Sequence, residues 1–203
     1  KELKQYDSNN VLPDKGILYF FFNMALLDGN NDFKVIYYEN TDNLSRRKEP
    51  YLSEEVKEKE EIYRIIFETG KLKFKNSYSA PQYGHEFLNE LKPKYNILDS
   101  EISKYSEKVN FENYNLMLGY SLSIQANDME AINEIGRNNY KYSKEVYKEA
   151  ATQWRKWVLL LQVDYNEDLE MCWGDGGMLY FWIREDDLKE KRFDKTMLDF
   201  QYH

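Results

Sequence analysis

The densest group of residues able to do chemistry lies between two apolar runs near the C-terminus. Trp157 to Asp164 (WVLLLQVD) is followed by Glu170, Trp173, Asp175, Gly176 and Gly177, and then by Met178 to Ile183 (MLYFWI). Asp164 and Asp175 bring carboxylates to the facing ends of the two runs, and paired glycines offer backbone N–H groups to a ligand. The chemistry on offer is the binding of a small polar group, so Asp164, Trp173 and Asp175 are the candidate ligand-binding residues. The same residues also read as a tight turn, with glycines at positive φ and Asp175 bonding its own backbone. The loop lacks the Gly-Lys-Ser/Thr ending of a phosphate loop and the alternating aspartates of a Ca²⁺ loop. The turn is the stronger of the two readings.

Other reactive side chains are sparse. The chain has two histidines, His85 and His203, and one cysteine, Cys172. These do not make up a zinc site without several carboxylates, and nothing in their spacing pairs a nucleophilic thiol with a base. No catalytic residue, no metal site and no cofactor is expected. His85 opens an amphipathic segment and reads as a cap or surface residue. Cys172, between Met171 and Trp173, reads as a buried strand-end thiol. Trp154, Trp157, Trp173 and Trp182 could form a ligand cage, but tryptophans on strands are more often core.

Bulk composition narrows the partners. Across 203 residues there are 36 acidic and 28 basic side chains, a formal net charge of -8. That argues against a nucleic-acid backbone and against an anionic membrane surface, and it favours a basic protein partner. A single cysteine rules out a disulfide within the chain and points to a reducing compartment, taken as the cytoplasm. The longest apolar run, Ile17 to Phe22, is too short to span a bilayer.

These residues must be positioned by an α+β fold with largely antiparallel sheets and flanking helices. Aromatics make up 16% of the chain, and tyrosine and phenylalanine favour strands. Ile17 to Asn23 is expected to be a central strand, apolar on both faces, with Phe33 to Tyr38 as a second strand after an Asp-Gly-Asn-Asn turn. Charged residues 40–61 read as surface, with Ser53 capping a short helix, and Ile62 to Phe67 and Leu72 to Ser79 as strands. Tyr83, Phe87, Leu88 and Leu91 share a helical face that Pro93 is expected to stop. Asp99 is expected to cap a helix with Leu98, Ile102, Tyr105 and Val109 buried, and Ser143 to cap another. Leu188 falls in a short helix, and Met197 to Tyr202 in a closing strand. The whole reads as one domain over 1–203, in approximate halves 1–95 and 96–203.

The halves carry an echo. Gly16 to Phe21 (GILYFF) aligns with Gly177 to Trp182 (GMLYFW), four of the six positions being identical. The second copy follows a partner strand, Trp157 to Asp164, and the first has nothing equivalent before it, only the polar ten-residue stretch KELKQYDSNN and a turn. This suggests an internal duplication whose first half is truncated at the N-terminus, with an apolar strand edge that favours homodimer formation.

At this point the chain resembles the YwqG-like family of bacterial proteins, a domain of unknown function. The carriers are Trp157 to Asp164, Trp173-Gly174-Asp175-Gly176-Gly177 leading into Leu179-Tyr180-Phe181, and Asp187-Leu188 before Phe193-Asp194. Leu118-Gly119-Tyr120, Ile124-Gln125 and Pro13 to Phe22 extend the likeness over most of the chain. Asn115 stands where the family carries His, and Ser121 where it carries Pro. The resemblance implies two related α+β halves, an additional N-terminal segment and no established activity. Some relatives are thought to be immunity proteins of toxin systems, which implies a non-catalytic protein-binding role. The alternative is an enzyme or small-ligand binder using the carboxylates of the Asp164–Asp175 hairpin.

Overall fold

A computed structural model describes residues 2–23, 33–45, 69–108 and 114–202. Among them run strands β1 (Ile17–Phe22) and β2 (Phe33–Tyr38), then helices α1 (Glu86–Tyr95), α2 (Asp99–Lys108), α3 (Met129–Arg137) and α4 (Lys144–Ala151). Strands β3 (Trp157–Asp164) and β4 (Met178–Arg184), helix α5 (Glu185–Lys189) and strand β5 (Met197–Gln201) follow. The fold is α+β with antiparallel sheets, as expected. The chain divides into two compact units. One holds Lys1–Lys75 and Asn166–Cys172, the other Asn76–Tyr165 and Trp173–His203.

In the first unit β1 and β2 pair antiparallel from Ile17–Tyr38 to Phe22–Phe33. The expectation of burial on both faces fails. Leu18, Phe20 and Phe22 are half-buried, while Ile17, Tyr19 and Phe21 lie on the exposed face. Successive side chains alternate across a strand, so apolar content alone does not say that both faces are covered. Leu72 to Ser79 forms no strand. The expected helix at Ser53 and strand at Ile62 to Phe67 lie outside the described residues. Cys172 is exposed, not buried: it follows the short Glu167–Leu169 turn, closed by reciprocal Asn166–Met171 backbone bonds, and belongs to no strand.

The second unit is built on the sheet β3-β4-β5, with β4 in the middle. Met178 to Ile183 are all buried, because a central strand packs on both faces. The echo of this strand in β1 therefore has different surroundings. Between Leu159 and Leu161 the β3–β4 register shifts, leaving Leu160 as an extra residue in β3. Trp157 and Leu159 face one side of the sheet, and regular alternation would turn Gln162 and Asp164 to the other. The bulge brings them back to the same side, opposite Tyr180 and Met178.

α3 covers this side and packs on α4 through Ala131, Ile135, Ala150 and Ala151. Ser143 caps α4 as expected, its Oγ accepting the Val146 N–H at 3.2 Å. The apolar residues of α3, Met129, Ala131, Ile132 and Ile135, recur at helical spacing, yet much of the surface it buries is polar. Glu130 meets His85, Asn133 donates to Asp199 at 2.6 Å, and Glu134 takes the Arg184 guanidinium at 2.6 and 2.8 Å and the Trp157 indole at 3.0 Å. Arg137 pairs with the fully buried Asp187. Burying such groups is tolerated because each has a partner.

Two expectations about helix ends are corrected. Pro93 lies inside α1, which runs on to Tyr95; Asn96, in the left-handed region, ends it, and the Asn96 and Ile97 N–H groups both return to the Lys92 carbonyl. A proline one turn from the C-terminus removes only one helical bond. In α2 the capping position is Leu98, whose carbonyl receives the Glu101 and Ile102 N–H groups while Glu101 bonds the Leu98 N–H at 2.8 Å. Asp99 pairs instead with Lys92 at 2.6 Å. Of the expected stripe, Ile102 is buried and Leu98 exposed; Val109 lies outside the described residues.

Candidate functional site

Reading the bulge side of the sheet row by row builds the site. Asp164, Met178 and Gln201 stand side by side across the three strands, and Gln162, Tyr180 and Asp199 form the next row. Both glutamines are buried and act as clamps on the segment 114–126. The Gln162 amide donates to the Tyr114 carbonyl at 2.7 Å and accepts the Leu122 N–H at 2.9 Å. The Gln201 amide oxygen accepts the N–H groups of Ile124 and Gln125 at 2.8 and 3.0 Å, and its nitrogen donates to the Ala126 carbonyl at 3.1 Å. Tyr180 donates its hydroxyl to the Leu122 carbonyl at 2.7 Å. A loop with few partners of its own is thereby fixed to a rigid sheet.

The segment is steered by its Leu-Gly-Tyr turn. Leu118 and Gly119 both take positive φ, and a Cβ on Gly119 would meet the Ser79 hydroxyl, which accepts the Tyr120 N–H at 2.8 Å. At the other end Gly177 passes so close to the Gln201 and Trp173 carbonyls that a Cβ would stand 2.5 and 2.6 Å from them.

Beside this segment lies a cleft of about 620 Å³. Asp164, Met178 and Leu122 are among its lining residues, and Gln82, Ser123 and Asn127 supply polar groups. Tyr83, Tyr105, Tyr114 and Tyr165 line it, each between 37% and 49% exposed. Gln82 accepts the Ser123 N–H at 2.7 Å and Asn127 donates to the Tyr83 carbonyl at 2.7 Å, so the walls are tied to each other.

The three residues singled out from the sequence fare differently. Asp164 lines the cleft, half-buried, with its Oδ1 accepting the Tyr165 N–H at 2.9 Å. Trp173 is buried and donates its indole N–H to the Asp164 carbonyl at 3.1 Å, holding the end of β3 in place. Asp175 is exposed and is not among the lining residues. Asn115 accepts the Asp164 N–H at 3.0 Å through its amide oxygen. The four tyrosines and two glutamines were missed. A lone glutamine inside an apolar strand, as in LLLQVD, was the available signal.

Burial pushes the Asp199 carboxyl up to about 7, with Glu130 and Asp128 adding repulsion and the Asn133 hydrogen bond opposing both. Burial also pushes the Tyr180 hydroxyl well above its usual value, and Asp164 and Asp199 push the same way. No trio of His, Cys, Asp or Glu placed to hold a metal occurs among the described residues.

Residues 1–201 match the family described as Domain of unknown function (DUF1963). The chain belongs to the DUF1963 family. No curated protein matches it. Within this DUF1963 chain no helix among the described residues is long and apolar enough to cross a membrane.

Proposed function

We propose that the protein is a non-catalytic binding module that holds a segment of a partner protein in the tyrosine-lined cleft. The observation that carries this reading is the cluster of four half-exposed tyrosines around a cleft whose walls are fixed by buried amides. Tyrosine offers a large rigid contact face and a hydroxyl at low entropic cost, which is why binding surfaces are rich in it. Prefixed walls reduce the ordering cost of binding. The net charge of -8 favours a basic partner. Likeness to the YwqG-like proteins, some thought to be immunity proteins, fits a bacterial protein that neutralises a toxin by occupying it. A lone, exposed thiol fits a reducing compartment, and we place the protein in the cytoplasm. The enzyme or small-ligand reading built on Asp164 and Asp175 is the weaker one, since Asp175 is not among the lining residues.

A photo-cross-linking residue in place of Tyr165, expressed in the native cells, tests the proposal. A discrete adduct with a second protein, lost when Tyr114→Ala is added, is the expected result. Adducts unaffected by Tyr114→Ala would contradict it.

A further inference from the structure

A partner segment can enter a cleft as an added strand, as a helix or as a polyproline stretch, and the groups left open in the lining separate the three. An added strand needs backbone N–H groups to pair with. Those of Leu122, Ser123 and Ile124 are already taken by the side chains of Gln162, Gln82 and Gln201 at 2.9, 2.7 and 2.8 Å. Those of Asp164 and Tyr165 go to Asn115 and to the Asp164 carboxylate at 3.0 and 2.9 Å. These walls offer a strand no row of donors. What the lining keeps is side-chain donors. Among the described residues the hydroxyls of Tyr83, Tyr105, Tyr114 and Tyr165 enter no hydrogen bond. The Gln82 amide gives its oxygen to the Ser123 N–H and has its nitrogen to spare. A helix keeps its carbonyls in its own ladder and would leave such donors unmatched. A polyproline segment has no internal hydrogen bonds, so its carbonyls stay open, and each proline adds an apolar ring and no N–H. Apolar rings and open acceptors are the complement of this lining.

Resting on the binding reading above, we infer that the cleft recognises a proline-rich segment of the partner in the polyproline conformation. Its rings lie against the tyrosines, and its carbonyls accept from their hydroxyls and from Gln82. Charge complementarity fits the same occupant. Asp164, the one charged lining residue, is engaged within the chain, so the cleft suits an uncharged stretch. The net charge of -8 favours basic residues in the flanks of that stretch, outside the cleft. The segment's conformation is largely set before it binds, which lowers the ordering cost just as the fixed walls do.

The probe is the capped peptide acetyl-Lys-Pro-Pro-Pro-Pro-Pro-Lys-amide, titrated into protein carrying ring-labelled tyrosine and followed by nuclear magnetic resonance. Its counterpart has alanine in place of every proline, with the same length and charge. We expect the proline peptide to shift tyrosine signals that Tyr114→Phe and Tyr165→Phe assign to the cleft. It should bind roughly tenfold more tightly than the alanine peptide, because less conformational freedom is lost. Each Tyr→Phe variant keeps the ring and removes one donor, and should weaken the proline peptide a few-fold. Equal binding of the two peptides would overturn the inference, and so would a proline peptide that shifts none of the cleft tyrosines. In either case an adduct from position 165 that is lost with Tyr114→Ala would still support the binding reading. Mapping that adduct gives a second arm: a partner segment containing prolines is expected, and one without proline would overturn the inference alone.

Discussion

Gln162 stands directly opposite Tyr180 on the cleft side of the sheet because Leu160 is one residue more than the β3–β4 ladder can pair. The same insertion turns Asp164 toward Met178 and the cleft. Strand geometry and site geometry therefore meet in a single irregularity, as bulges next to functional sites often arrange.

The Gln162 side chain satisfies one carbonyl and one N–H of the segment that walls the cleft. Replacing it with leucine keeps the volume and leaves the buried Leu122 N–H without that acceptor. We expect Gln162→Leu to cost about 2–4 kcal/mol, the loss of two buried hydrogen bonds. Urea unfolding measures it, and a cost under about 0.5 kcal/mol would show that the clamp is dispensable.

Leu160 is fully buried despite having no partner in the ladder. Truncation to alanine should cost ~2–5 kcal/mol, as for other buried leucines. A cost below about 1 kcal/mol would mean that the bulge is not anchored by this side chain.

Asp199 gives a pH dependence of definite sign. Its folded-state carboxyl, pushed up to about 7 by burial, keeps a proton that an unfolded carboxyl releases near pH 4. Between about pH 4 and pH 7 the folded state binds the extra proton, so this group's contribution to stability falls as pH rises and then levels off. Asp199→Asn retains an acceptor for the Asn133 amide and removes the buried charge. Its stability should match wild type near pH 4 and exceed it near pH 8. A difference that stays constant across that range would contradict the assignment.

Cys172 lies exposed at the end of its short turn. A maleimide or disulfide reagent should therefore label it completely in native buffer, and labelling that waits for denaturant would place the thiol in the interior.

Much of the framework was legible in the sequence. β2, β4, β5 and the Ser143 cap follow from alternation, aromatic content and the capping residue, and β3 and β4 pair as their spacing suggested. α3 was missed although Met129, Ala131, Ile132 and Ile135 recur in it at helical spacing; what the sequence could not show is that Glu130, Asn133 and Glu134 are buried too, since their partners come from distant positions such as Asp199 and Arg184. The site was half legible for the same kind of reason. Asp164 could be named from its place at a strand end, but the side to which it points depends on the bulge at Leu160. Tyr83, Tyr105, Tyr114 and Tyr165 are scattered in sequence and are gathered only by the fold.

The most direct measurement of the account is an unbiased peptide selection, with a random displayed library panned against the folded protein. We predict enrichment of sequences rich in basic residues, as the net charge of -8 favours, whose binding is lost in Tyr114→Ala. Selected peptides that bind Tyr114→Ala as well as wild type would contradict the central claim that this cleft is the binding site.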